Sequence, residues 1–525
     1  MAATQSSNAV RVKNLPVLIL ILFNVVVGLL TFRSYGFSLD EPLFYGYADA
    51  IGYAYNPLEW VKPDFDLERA FGPSPWDHKN RGPAYLLLAR IPAHLLQSAG
   101  LDQASAWHLV NFLAFQVCVY FFYVLARRWM HPWAAFFATA LFSTQPVLWE
   151  HAFINPKDPP FEMFFLISLE LGFRMSEYFA TAPPDEKPTR LLRHILLPGL
   201  VLGLATSIRI LGPLAGLLVG LHFFLQRKPS RLGWFVAYAG IAVMAMFLFW
   251  PYLWESPVRN FIGTLTFMAD NPTDLRVLFY GEIYRADNLP LRYLPSLLLF
   301  TLTEPVWPLA FLGGIVALFR SIRKQLDWKT LLPTLLWFIL PLVYVLISRP
   351  PMYDGFRHFM FIVPPLFILA GLAVDALFEK VSSAWLRIPV LALLLLPGIL
   401  AYYQLHPYEY IYYNQFVGGT RQAAARFETD YWLTCYKEAM VKAQALAPMH
   451  PTIFVRREGY IAAYYATPGI SVIDGGEIKA SPQKGEYILD NSRANPAIQK
   501  YAGSKDMIVI QRQGAVFCTL SLNTK

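Results

Sequence analysis

Tyr35-Gly36-Phe37-Ser38-Leu39-Asp40-Glu41-Pro42 stands directly after the apolar run of residues 15–32. That run is close to the ~20 apolar residues a helix needs to cross ~30 Å of hydrocarbon. Paired carboxylates at the mouth of such a helix are costly to keep unless they are used. They can accept a proton from an attacking hydroxyl, or coordinate a cation. The plainer alternative is that they cap the helix that follows, since Asp favours helix N-termini. At this point both readings stand.

The remainder of the chain has the same character as its first run. Of 525 residues, 55% are hydrophobic and only 15% charged, against roughly 25% charged in soluble domains. This excludes an ordinary soluble enzyme. Aromatic residues reach 16% and gather near the ends of apolar runs, where an interfacial belt places them. The net charge of +8 is distributed between apolar runs rather than along one stripe, so it reads as a topology signal and not as a nucleic-acid surface. Cys118, Cys435 and Cys518 have no metal-ligand spacing. Cys435 and Cys518 could pair if the tail faces an oxidising compartment, or stay free.

Candidate spans cover residues 15–32, 105–126, 132–149, 161–176, 191–207, 210–225, 234–254, 293–319, 331–348, 356–378 and 388–403, about eleven in all. Arg11 and Lys13 precede the first, which lacks a small-residue cleavage site and reads as a retained anchor rather than a signal peptide. With the N-terminus cytoplasmic, the inside loops carry Arg127 and Arg128; Arg174, Lys187, Arg190 and Arg193; Arg227, Lys228 and Arg231; Arg320, Arg323, Lys324 and Lys329; then Lys380 and Arg387. Each of these loops is basic, as the positive-inside rule requires. The expected location is therefore a cell membrane, of the bacterial inner-membrane type, crossed many times with the C-terminus outside.

The polar, Pro-rich segments 31–104, 150–160, 256–292 and 349–355 then all fall on the external face. No Walker-type loop and no GxGxxG fingerprint is present, which disfavours nucleotide chemistry from the cytosol. The predicted organisation is a helical membrane domain over residues 1–404, with a first external loop at 33–104. A small external α/β domain over 405–525 follows. Its strands are expected at 452–455, 470–473, 487–489, 507–511 and 515–522, and its helices at 420–426 and 437–445.

Several external segments carry reactive side chains. His78-Lys79-Asn80-Arg81-Gly82-Pro83 precedes an apolar stretch, 86–96, whose Pro and Arg90 suit a helix lying in the interface. Lys79 and Arg81 can hold a phosphate, or snorkel toward headgroups. Lys157-Asp158-Pro159-Pro160 opens a span, with Asp158 either an N-cap or a second active-site acid. Arg209 is costly near the membrane unless paired or facing a cavity, and its fork suits phosphate. Arg357 and His358 stand at the entrance of residues 356–378 and are anion-binding in type; a tie from Arg357 to Asp354 is the bland account. Glu304, within an apolar run, is a candidate partner for one of these arginines. In the tail, Asp430-Tyr431-Trp432 makes Asp430 and Trp432 candidates for an acceptor site, since aromatic faces stack on sugars.

In order and spacing, Asp40-Glu41, His78–Pro83, Lys157–Pro160 and Ser207-Ile208-Arg209-Ile210-Leu211-Gly212-Pro213 resemble the motifs of the C-type membrane glycosyltransferases. The closest resemblance is to the protein O-mannosyltransferase and aminoarabinose transferase group, glycosyltransferase family 39 and its relatives. The likeness covers about residues 1–260, and beyond that it is architectural. It implies transfer of a sugar from a polyprenyl-phosphate donor, with inversion, to a lipid, glycan or protein acceptor on the external leaflet. Asp40 would be the base, with Glu41 and Asp158 beside it. Lys79, Arg81, Arg209 and Arg357 would hold the donor phosphate. Beside these, His78, Lys157, Glu304, His358, Asp430 and Trp432 are candidates for the acceptor or another part of the site. Gly82-Pro83 replaces the group's usual Pro-Pro, and Arg209 its commoner Lys. No His-rich or carboxylate-dense cluster is present, so neither metal nor other cofactor is expected. The alternative is a transporter or flippase for a lipid-linked or anionic solute. That reading expects charged groups at mid-span and an internal repeat; no repeat is found, and the charges cluster at one face. A third reading makes the tail a sugar-binding receptor on a membrane scaffold.

Overall fold

The computed structural model describes residues 2–525 apart from Pro272, Lys380, Ser382, residues 479–480, residues 494–500 and Ala502. Lys380, one of the basic loop residues, thus lies outside the described residues. Each predicted span falls mainly on helix, but among the described residues five helices are long and apolar enough to cross a membrane: Asn14–Thr31, Gln103–Ala126, Pro229–Leu248, Trp328–Ser348 and Trp385–Leu405. Tyr293–Thr301 and Val306–Ile322 make a sixth if read as one span, although they meet at 103°.

The difference from eleven has local causes. The run 132–149 is interrupted before Pro146, giving the short helices Pro132–Ser143 and Pro146–Ile154. Helix Asp158–Thr181 is 24 residues long but carries Glu162, Glu170, Arg174 and Glu177. Arg357–Ile362 forms a 3₁₀ turn, which leaves only Pro364–Glu379 as α-helix in that region. The expected interfacial helix is Ala84–Ser98. It buries Tyr85, Leu86 and Ala89 and exposes Leu88, Ile91 and Leu95.

After the helical bundle, a hairpin of β1 (Arg276–Phe279) and β2 (Glu282–Arg285) leans on the tail through a bridge from Phe279 to Phe427. The tail holds a five-stranded sheet of β3 (Thr452–Val455), β4 (Ser471–Asp474), β5 (Tyr487–Asn491), β6 (Ser504–Arg512) and β7 (Ala515–Asn523). The order is β4-β3-β5-β7-β6, with β4, β3 and β5 parallel and the other pairs antiparallel. Alternating apolar residues on short runs produce these strands. A disulfide joins Cys435, at the start of helix Cys435–Ala443, to Cys518 on β7, with Cα atoms 6.0 Å apart. Cys118 is free and buried.

The tail is fastened onto the segment that carries Asp40. Tyr460 donates to the Leu39 carbonyl at 2.9 Å, Tyr465 accepts from the Phe37 amide at 2.8 Å, and Lys437 donates to the Tyr35 carbonyl at 2.9 Å. A detached receptor module does not fit this packing.

A second junction aligns two of the basic segments. A Cβ at position 82 would lie 1.8 Å from the Ser207 carbonyl oxygen, so only glycine allows this approach. The Ala84 amide donates to the same oxygen at 3.3 Å. The departure from Pro-Pro therefore has a steric cause in this chain, and it sets Arg81 against the Arg209 turn. Gly82→Ala is expected to lower stability by about 1–3 kcal/mol, as overpacking does, in thermal unfolding of the detergent-solubilised protein. Gly314→Ala, with open space around its Cβ inside helix Val306–Ile322, should not lower the midpoint and should raise it slightly, as Ala is the better helix former.

Candidate functional site

Four segments converge at one end of the bundle: the start of helix Glu41–Ala50, the turn around Arg81, the start of helix Asp158–Thr181 and the loop leading into Arg357. Asp40 occupies the N-cap position, yet its carboxylate makes no capping hydrogen bond. It lies 3.1 Å from the Arg357 guanidinium and is 22% exposed. Asp40 therefore remains available to a substrate.

Arg357 is the junction of the site. It is 2% exposed and reaches Asp40 at 3.1 Å, Asp158 at 3.5 Å and Asp354 at 3.0 Å. Its guanidinium lies 4.8 Å from the centroid of the Trp432 ring, whose indole N–H donates to Asp354 at 3.1 Å. Asp354 has a left-handed φ of 57°, uncommon outside glycine but tolerated by Asp. Its other oxygen receives Arg493 from the tail at 2.7 Å. The charge chain Asp40–Arg357–Asp354–Arg493 thus links the membrane part to the region following β5.

Asp158 is buried and is not the cap of its helix. Asn155 fills that role, its side-chain oxygen accepting from the amides of Lys157 at 3.1 Å and Asp158 at 3.0 Å. The Asp158 carboxylate instead accepts from Arg209 and from Asn155 Nδ2.

Cations outnumber the anions they can reach here. Lys157 is 6% exposed, with its ammonium 4.8 Å from the Phe44 ring centroid. It forms no ion pair among the described residues. Burial, then Arg81, Arg357 and Arg209, push its pKa well below 10.5. Burial and the same kind of crowding, from Arg357 and Arg81, lower Arg209 to about 9. Arg209 Nε and Arg357 Nε are buried without an acceptor. Arg357 Nη1 is also outside hydrogen-bond geometry, although it sits close to carboxylates. Buried donors with no acceptor are rare in folded proteins. These define a place for an anion.

The same cations act on Asp40 in the opposite sense. Burial pushes its carboxyl up, but Arg357, Lys157, Arg81 and Arg493 outweigh burial and hold it below 3.8.

Two cavities meet at this cluster and share Arg81, Lys157, Asn271 and Tyr353 as walls. One, of about 160 Å³, has Arg81, Lys157, Arg209 and His358 at its polar end. Its other wall is Leu211, Leu265, Met268 and Tyr344, of which Leu265 and Tyr344 are 43% and 44% exposed. The second, of about 230 Å³, is bordered by Asp40, Trp76, Asp77, His78, Arg357 and Arg493.

The remaining expected site residues are held by other partners, some at the edge of the site and some away from it. Glu41 is fully buried and turned into the core, accepting from Tyr45, from the Ser38 amide at 2.6 Å and from His108 at 2.9 Å. Lys79 pairs with Glu68 at 3.0 Å on the surface. Glu304 meets no arginine; it accepts from Tyr412 at 3.1 Å and from the Gln415 amide at 2.9 Å, anchoring that loop. Asp430 is saturated by Tyr410, Thr434 and the Cys435 amide, so it ties down the start of helix Cys435–Ala443. His78 stacks on Tyr47 at 4.7 Å and bonds the Phe71 carbonyl. Trp432 supports Arg357 from beneath. Arg493 escaped the sequence reading, since nothing in Asn491-Ser492-Arg493 marks it. Asn155 was findable as an Asn before a helix start.

Comparison with solved structures gives the fold a precedent. The chain is similar to ArnT from Cupriavidus metallidurans, solved with bound undecaprenyl phosphate, at 14% identity and a TM-score of 0.52, covering 96% of this chain and 97% of that one. It is also similar to the oligosaccharyltransferase of Archaeoglobus fulgidus, solved with a tethered acceptor peptide, at 11% identity and a TM-score of 0.51. That match covers 87% of this chain but 64% of the other. Both are C-type membrane glycosyltransferases, and this chain has their fold. No protein-family model matches the sequence, and neither does any curated protein.

The crowding of Lys157 gives a test with opposite signs for stability and binding. Its depressed pKa means the unfolded chain binds more protons, so stability rises as pH climbs from the folded value toward 10.5. Lys157→Met should remove that rise and increase the thermal midpoint of the unliganded protein near neutral pH. The same variant should bind undecaprenyl phosphate at least about ten-fold more weakly, the loss of one charge-assisted contact. A midpoint that falls would contradict the assignment.

Proposed function

We propose that this protein is a membrane glycosyltransferase that moves a sugar from a polyprenyl-phosphate donor to a hydroxyl on an acceptor, with inversion at the anomeric carbon. The observation that carries the proposal is the buried Arg209 donor without an acceptor, in a cavity it shares with Arg81 and Lys157, whose far wall is apolar and exposed and which adjoins the cavity of Asp40 and Arg357. The bound lipid phosphate of the structurally similar ArnT supports the same reading.

Asp40 takes the acceptor proton as the acceptor oxygen attacks the anomeric carbon. The bond from that carbon to the phosphate oxygen breaks, and the lipid phosphate leaves with the electron pair. Arg81, Lys157 and Arg209 stabilise the leaving phosphate, the electrostatic contribution that dominates such sites. Arg357 and Asp158 position Asp40 and the basic cluster, and Glu41 and Lys79 take no part. Donor binding and basicity are coupled here. The phosphate neutralises the cations that hold the Asp40 pKa down, so the base strengthens when the donor is in place. The chemistry belongs on the external face, and the Cys435–Cys518 disulfide suits an oxidising compartment.

Asp40→Asn should lower transfer from undecaprenyl-phosphate sugars by about 10²–10⁴-fold, the usual contribution of general-base catalysis, with undecaprenyl phosphate still bound. A normally inserted variant with full activity would refute the role. In the wild type, the acid limb of kcat/KM, which reports the free enzyme, should fall below pH 3.8, and that of kcat should lie higher.

A further inference from the structure

A second cationic cavity, of about 560 Å³, lies at the opposite end of the bundle. Helix Asp158–Thr181 fixes the separation. It starts in the site, and its Glu170 and Glu177 pair with Arg128 at 2.6 and 2.5 Å. At 1.5 Å per residue, Glu177 lies ~28 Å along the helix from Asp158, about one hydrocarbon thickness. Arg128 lines this cavity, which therefore lies about that distance from the candidate site, toward the far end of this helix.

Four arginines face the cavity, Arg127, Arg128, Arg320 and Arg323, against the carboxylates Asp375 and Glu379. Both carboxylates are already engaged. Arg320 reaches Asp375 and Glu379 at 2.7 Å each, and His131 reaches Asp375 at 2.9 Å through both its ring and its amide. Arg128 is neutralised by Glu170 and Glu177. Arg127 meets only the Met130 carbonyl and the Tyr123 hydroxyl, and Arg323 has no side-chain partner among the described residues. Two positive charges thus face the cavity without a counter-ion.

The surroundings identify the anion's carrier. Phe319 and Ile322, on the helix that ends at Arg323, are 58% and 68% exposed. Trp133, 48% exposed, borders an adjoining pocket that shares His131, Pro132, Asp375 and Glu379. Exposed aliphatic and aromatic side chains beside a Trp are the signature of the bilayer interface, and basic pockets between helices at this depth take anionic headgroups. We propose that this cavity binds the phosphate of an anionic phospholipid headgroup, fastening the helices that follow Ala126 and precede Gln325 to the leaflet opposite the candidate site. The inference does not depend on the donor assignment.

The test uses the full-length protein, delipidated and titrated with dioleoyl phosphatidylglycerol or dioleoyl phosphatidylcholine, with bound lipid read by native mass spectrometry. Wild type should retain phosphatidylglycerol in preference to phosphatidylcholine. Arg127→Gln/Arg323→Gln should bind phosphatidylglycerol roughly 10- to 30-fold more weakly, following the attraction expected per basic residue. Lys187→Gln/Arg193→Gln, an equal charge change at exposed positions outside the cavity, should bind within about two-fold of wild type by the same arithmetic. Arg323→Glu, at an exposed helix end, keeps the test decisive if the double variant does not fold, because it too should lose the preference. Undiminished phosphatidylglycerol binding by these variants would overturn the proposal. So would competition by free glycerol phosphate at the lipid's own concentration, which would mark a site for soluble anions.

Discussion

Arg357 is a nearly inaccessible guanidinium within reach of three carboxylates, each supplied by a different part of the chain. An unpaired charge in that position would cost several kcal/mol of desolvation, so Asp40, Asp158 and Asp354 must come together for the fold to close. That requirement makes the site a condition of the structure rather than an addition to it. It also ties in the tail, because Asp354 is shared with Arg493. Replacing one member exposes the others to an uncompensated charge, so effects within this cluster will not add independently.

The network is balanced for structure but not for charge. Lys157 and Arg209 are held below their ordinary pKa values, and several guanidinium hydrogens have no acceptor. A protein without a ligand for this place would gain stability by losing a cation. The retained excess is what the proposed anionic ligand would neutralise. The apolar, exposed wall beside it indicates why that anion would arrive on a lipid.

Much of this was legible in the sequence and some was not, for reasons that differ by residue. The helical regions and the tail strands followed from hydrophobic periodicity. The number of helices long and apolar enough to cross did not, because a 24-residue helix with five charges and a run broken before Pro146 look alike in a hydropathy reading. Asp40 and Glu41 are adjacent in sequence, but a helix start turns one toward the cavity and the other into a cage of Tyr45, Ser38 and His108. Composition gives no direction to a side chain. Glu304 and Asp430 show the same limit, being acids whose partners are backbone amides and tyrosines, distant in sequence for Glu304. Arg493 is 453 residues from Asp40 along the numbering of the chain, and only tertiary packing brings it near. Arg81, Lys157, Arg209 and Arg357 were identifiable as candidates from their segments, since each stands where a bare charge beside apolar residues calls for explanation.

The most direct measurement is a structure of this protein with undecaprenyl phosphate bound. The account places the phosphate within hydrogen-bond distance of Lys157 and the Arg209 guanidinium, with the prenyl chain leaving past Leu265 and Tyr344 and Asp40 facing the phosphate from the adjoining cavity. A phosphate bound away from these residues, with Arg209 Nε still lacking an acceptor, would contradict it.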